Sequence, residues 1–146
     1  MQVEAQTTIA VATEVAFDCM ADVRNETSWN SQVSRAELRS GEPVGRGTIF
    51  VTTNRGRDYE ATITTFDRPG RLVFDVRGDR MDMTASFAFA AEDGGTRLAG
   101  VFDLRPKGVM RLLLPLLLPA VRRDQAKQWQ SFGAFCESAA GPRDER

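Results

Sequence analysis

The stretch "MRLLLPLLLPAVRR", Met110 to Arg123, holds ten consecutive uncharged residues from Leu112 to Val121, and where that run goes decides the fold. Crossing a membrane takes a helix of roughly 20 apolar residues. This run is half that length and contains Pro115 and Pro119, each of which removes a backbone donor and crowds the preceding helical turn. The run therefore belongs to a folded domain, and two placements stay open. In one it begins a long covering helix, its leucines filling the wide end of a sheet. In the other Leu112, Leu113, Leu116 and Leu117 remain outside among Arg105, Lys107, Arg111, Arg122 and Arg123, as an apolar wedge suited to an anionic bilayer surface. Both can hold at once, because a run that is apolar all round needs apolar matter on more than one side.

Downstream, Ala126, Trp129, Phe132, Gly133 and Cys136 recur at helical spacing as far as Ser138, so the covering helix is long. Upstream, Val33 to Leu104 has the texture of strands and turns. "MDMTASFAFA" puts Met81, Met83, Ala85, Phe87 and Phe89 on one face and Asp82, Thr84 and Ser86 on the other. "RLVFDV" alternates in the same way through Leu72, Phe74 and Val76, and "TRLAGVFDL" through Leu98, Phe102 and Leu104. Arg55-Gly56 and Asp93-Gly94-Gly95 read as hairpin turns, and "DRPG" (Asp67–Gly70) as a third turn. Near the amino terminus "VEAQTTIAV" reads as a strand. Thr13, Ala16, Phe17, Met20 and Ala21 then form the apolar stripe of a short helix, and Arg24 to Asn30 a single helical turn or a loop. Sequential, hairpin-linked, one-sided strands form an antiparallel sheet. The expectation is an α+β fold: about seven strands in a curved sheet, covered by the long helix, with one or two short helices after the first strand.

The totals restrict function. At 146 residues the chain is one domain, expected over 1–140, with "GPRDER" (Gly141–Arg146) as a disordered tail. A net charge of −1 gives no general field for nucleic acid, so no nucleic-acid partner is expected. The absence of histidine removes the Ser-His-Asp and Cys-His arrangements and His-bearing metal sites. Cys19 and Cys136 make no metal cluster and read as buried thiols, whether or not they meet. No metal and no cofactor is expected. The first residues lack the basic start and apolar stretch of an export signal, which makes the cytoplasm the expected location.

Several local patterns, in order, resemble the START and birch-pollen-allergen-like (SRPBCC) superfamily, and within it the bacterial polyketide cyclase/dehydrase-type proteins. "VATEVAFDCMADVRNETSW" is similar to the family's opening strand and helix: Phe17, Asp22 and Trp29 match, while Ala16 replaces a valine. "EPVGRGTIF", "DYEATITTFDRPGRLVFDV", "GGTRLAGVFDLRP" and "QWQSFGAFCE" follow at the expected places. The resemblance implies a helix-grip fold, in which the curved sheet grips the final helix around a cavity. It also implies a hydrophobic guest such as a lipid, quinone or polyketide-like molecule, and some members are cyclases or dehydratases.

Large inward residues should then line core or pocket: Phe50, Tyr59, Ile63, Phe74, Met83, Phe87 and Phe102 from the sheet, and Leu114, Leu118 and Val121 from the helix. Tyr59, Trp29 and Gln125 are the polar members expected to orient a guest. Phe89 and Phe132 read as plain core. A cyclase would need an acid and a base, yet Asp75, Asp82 and Asp103 alternate with apolar positions and point outward. The reading that follows is carriage or sequestration of a hydrophobic small molecule. A cyclase or dehydratase using the same cavity and a peripheral lipid-exchange module are the alternatives, and the balance leans away from an enzyme.

Overall fold

The computed structural model describes residues 1–140; the expected tail at 141–146 lies outside them. Seven strands run β1 (Gln2–Ile9), β2 (Val33–Leu38), β3 (Ile49–Asn54), β4 (Arg57–Asp67), β5 (Arg71–Gly78), β6 (Met81–Glu92) and β7 (Gly95–Pro106). Helices α1 (Thr13–Ala21) and α2 (Glu26–Trp29), joined by a 3-10 turn at Val23–Asn25, separate β1 from β2, and α3 (Met110–Ala139) ends the fold. The sheet is antiparallel in the order β1-β7-β6-β5-β4-β3-β2. Five of its six neighbouring pairs join strands consecutive in sequence, and β1 closes beside β7. It is the curved helix-grip sheet, and two irregularities sharpen its bend. Thr64 is an extra residue in β4, between the Ile63–Phe74 and Thr65–Val73 pairs, and Ser34 interrupts the register of β2. A bulge of this kind increases local twist.

Turn chemistry matches the sequence. Arg55 (φ 51°) with Gly56 (φ 78°), and Asp93 (φ 46°) with Gly94 (φ 80°), supply the two left-handed residues that a tight hairpin with native twist requires. The β4–β5 turn is tied to α1 by Arg68, whose guanidinium donates to both Asp18 carboxylate oxygens at 2.7 and 2.8 Å.

The core lies between the concave face of the sheet and the helices. Phe17, Phe50, Ile63, Leu72, Leu98, Phe132 and Cys136 are fully buried there, each large apolar side chain contributing about 2 kcal/mol by leaving water. Phe17 meets Phe66 and Phe89 edge-on, at 5.1 and 5.4 Å between ring centroids. The thiols of Cys19 and Cys136 meet between α1 and α3. Their interaction draws the Cys19 thiol down and, together with burial, pushes the Cys136 thiol up.

The opening run is the first third of α3, and the helix continues through both prolines. Its leucines divide. Leu114 is buried with Val3 and Leu104, and Leu118 is half-buried against the same cluster. Leu112, Leu113, Leu116 and Leu117 are exposed, so they do not fill the wide end of the sheet. Ala126 departs from the expected stripe and is also exposed: it faces β1, the edge strand, beyond which no element among the described residues covers it.

Candidate ligand site

Residues on the concave face fall into two packed clusters rather than one. The larger holds Phe17, Phe50, Ile63, Phe74, Phe87, Trp129 and Phe132 among its members; the smaller is Val3, Leu104 and Leu114. Met83 and Phe102 pack against both, yet each is only half-buried. They mark the seam between the two clusters, and both keep part of their surface exposed. Aromatic edges line it in series: Phe74 to Phe87 at 6.2 Å, Phe87 to Phe102 at 5.6 Å, and Phe102 to Trp129 at 6.4 Å. Gly100 makes the last contact possible. A Cβ there would stand 2.8 Å from the Trp129 ring and 3.1 Å from that of Phe102.

Beside the seam a cleft of about 400 Å³ opens between β1 and α3. Ala5 and Thr7 come from β1, opposite Gly100 and Leu98 in register, and Trp129, Gln125 and Ala126 from α3; Glu4, Gln6, Arg122 and Gln130 also line it. A volume of this size is within the range that accepts a small organic molecule. A second groove of about 410 Å³, over β3 to β5, is lined by Arg39, Asp58, Glu60, Arg77 and Asp79 among others, with Arg39 and Glu60 paired at 2.9 Å. Its charged lining does not suit an apolar guest.

Phe50, Ile63, Phe74, Phe87 and Leu114 are packed core, as are Phe89 and Phe132. Trp29, Tyr59, Met83, Phe102, Leu118, Val121 and Gln125 are half-buried. Tyr59 pairs with Thr52 and Gly78 and lies in phase with the buried Ala61 and Ile63. Its ring lies over Gly78, where a Cβ would be 2.6 Å away. Gln125 lines the β1 cleft. Trp29 packs edge-on against Phe132 at 5.0 Å, and its buried indole Nε1 has no hydrogen-bond partner among the described residues. A buried donor left unpaired costs about 1–3 kcal/mol, so an acceptor brought by a guest would recover energy there.

Asp75, Asp82 and Asp103 turn away from this interior, toward cations on the outer face. Arg105 reaches Asp103 at 3.1 Å and Asp75 at 3.7 Å, and Lys107 reaches Asp82 at 3.0 Å. The Lys107 ammonium holds the Asp82 carboxyl below its ordinary range.

Two features escaped the sequence reading. Glu26, one turn before Trp29 on α2, keeps some exposure at its edge, yet the protein packed around its carboxyl pushes it up to about 7. The second is a latch between the β3–β4 hairpin and α3. Arg55 donates to Asp124 at 2.6 Å, Gln32 donates to the same carboxylate at 3.2 Å, and Gln128 donates to Gln32 at 2.9 Å. Neither carries a local pattern: one depends on burial, the other on residues about 70 to 95 positions apart.

Over residues 1–137 the sequence matches the family described as polyketide cyclase/dehydrase and lipid transport. No curated protein matches it. Among solved structures, a START superfamily protein from Mycobacterium smegmatis superposes with a TM-score of 0.73 at 14% identity, covering 94% of this chain and 98% of that one. The di-domain ARO/CYC StfQ of the steffimycin biosynthetic pathway gives 0.75 at 14% identity, covering 97% of this chain and 52% of the longer one. Ara h 8.0201 gives 0.71 at 16% identity, covering 94% and 98%. At such identities these three establish the fold and nothing finer.

Proposed function

Because the chain belongs to the polyketide cyclase/dehydrase and lipid transport family, we propose that it binds and carries a hydrophobic small molecule between its curved sheet and α3. The observation that carries this reading is the cleft between β1 and α3, beside the half-exposed seam at Met83 and Phe102. Met83, Phe102, Leu118 and Val121 contact the apolar body of the guest. Phe50, Ile63, Phe74, Phe87 and Leu114 form the wall behind them. Trp29 offers its unpaired N–H to a polar atom of the guest, and Gln125 lines the mouth at the β1–α3 cleft, whereas Tyr59 borders the charged groove over β3 to β5.

Native mass spectrometry of protein taken directly from cells tests the reading. The expected spectrum carries a non-covalent adduct of a small apolar molecule. Ala126→Phe should deplete that adduct, since residue 126 is exposed at the cleft and can take a ring without disturbing the core. A bare wild-type protein, or an unchanged adduct in Ala126→Phe, would overturn it.

A further inference from the structure

Val109 at the N-cap of α3 and Leu112, Leu113, Leu116 and Leu117 in its first turns are all exposed, Leu112 at 76% and Leu116 at 78%. Their spacing is i, i+3, i+4, i+7, i+8, so they share one stripe covering roughly 140° of the helix. The inward residues Leu114, Leu118 and Val121 lie on the far side of the same turns. This part of α3 is thus apolar on two faces, and only one of them is covered by the protein.

The charge around the stripe is one-sided. From Lys107 to Arg123 the sequence has four cations and no acid. At 100° per residue Arg123 falls within the angular range of the stripe at its carboxy-terminal end, and Arg111 and Arg122 lie about 80–100° beyond its edge, on the exposed flank between the stripe and the covered face. Among the described residues no ion pair or side-chain hydrogen bond engages these three arginines. Asp82 and Asp124 are already occupied by Lys107 and Arg55. An exposed apolar stripe with an uncompensated positive border complements a surface that is oily within and negative at its rim.

We infer that this stripe docks the protein on an anionic phospholipid bilayer, α3 lying in the interface with its leucines among the acyl chains and Arg111, Arg122 and Arg123 among the headgroups. No helix among the described residues is long and apolar enough to cross a membrane. The stripe spans about 13 Å of helix, which is suited to lying flat and too short to span. The inference stands apart from ligand binding, because the stripe faces away from the seam and docking needs no guest.

Co-sedimentation of the full chain with vesicles of phosphatidylcholine alone, and of phosphatidylcholine with phosphatidylglycerol, tests it. The expected result is binding to the mixed vesicles that weakens as salt is raised, with little binding to phosphatidylcholine alone. Leu112→Asp with Leu116→Asp should abolish it, and the melting curve should be unchanged because both side chains are already in water. Replacing Arg111, Arg122 and Arg123 by glutamine should weaken partitioning on the order of 100-fold. Binding that ignores both sets of changes would overturn the inference. So would a dimer in solution that Leu112→Asp with Leu116→Asp converts to monomer, since the stripe would then be covered by a second copy. The cellular adduct of the ligand-binding reading is measured without vesicles, so either result can fail without the other.

Discussion

Glutamine at position 26 should stabilise the protein in alkali and leave it unchanged in acid. Burial raises the Glu26 carboxyl from 4.5 to about 7, because packed protein around it disfavours the charged form. In the unfolded chain it titrates at its ordinary value. Below that value both states hold the proton and the residue has no effect on the balance. As pH rises toward 7 the unfolded chain has released its proton while the folded one keeps it, so unfolding gains ground. Above 7 the folded protein bears the full cost of a crowded carboxylate. A rise of this size is equivalent to about 3 kcal/mol, which the remaining exposure at the edge of the side chain reduces to about 2. Glutamine keeps the shape and cannot ionise. Urea denaturation of both proteins near pH 3.5 and near pH 8.5 provides the measurement. Equal midpoints are expected in acid, with an advantage of about 2 kcal/mol for Glu26→Gln in alkali. Equal stability at both pH values, or a less stable glutamine variant in alkali, would refute this expectation.

Gly100→Ala should cost about 1–3 kcal/mol in chemical denaturation, because its methyl group would stand 2.8 Å from the Trp129 ring and force that ring from its place on β7; a neutral result would show that the ring is free to move. Cys19 and Cys136 are both buried, so an aromatic disulfide reagent should label them at the rate of unfolding, and fast labelling of the native protein would contradict that packing. Asp124→Asn should speed exchange of a bound guest with little loss of stability, since a partly exposed ion pair contributes about 1 kcal/mol or less. Stopped-flow displacement that leaves the exchange rate unchanged would show that the latch does not gate the space.

The sheet was legible because its strands keep one face dry. In β6 the period of two marks Ala85, Phe87 and Phe89 without reference to anything distant, and they are buried as that period implies. The bulge at Thr64 left no such trace, because an extra residue inside "TITTF" does not disturb the composition of a strand. Leu112 and its neighbours could not be placed by pattern, since a stretch apolar on every side has no preferred direction. Only the position of β7 and of the Val3–Leu104 cluster selects Leu114 as the inward one. Ala126 was in phase with Trp129 and still ended in water, because phase fixes direction and not what stands opposite. Glu26 looked like a surface residue in "RNETSW", and its crowding arises from tertiary packing.

In the proposed complex, a guest held at the seam satisfies the Trp29 indole. With only two tryptophans in the chain, a proton–nitrogen correlation spectrum shows two indole resonances, assignable through Trp129→Phe. Spectra of the protein as isolated and after the guest has been stripped make the comparison. A downfield displacement of the Trp29 N–H in the loaded sample is the predicted result; a loaded sample whose Trp29 resonance coincides with that of the stripped protein would contradict the account.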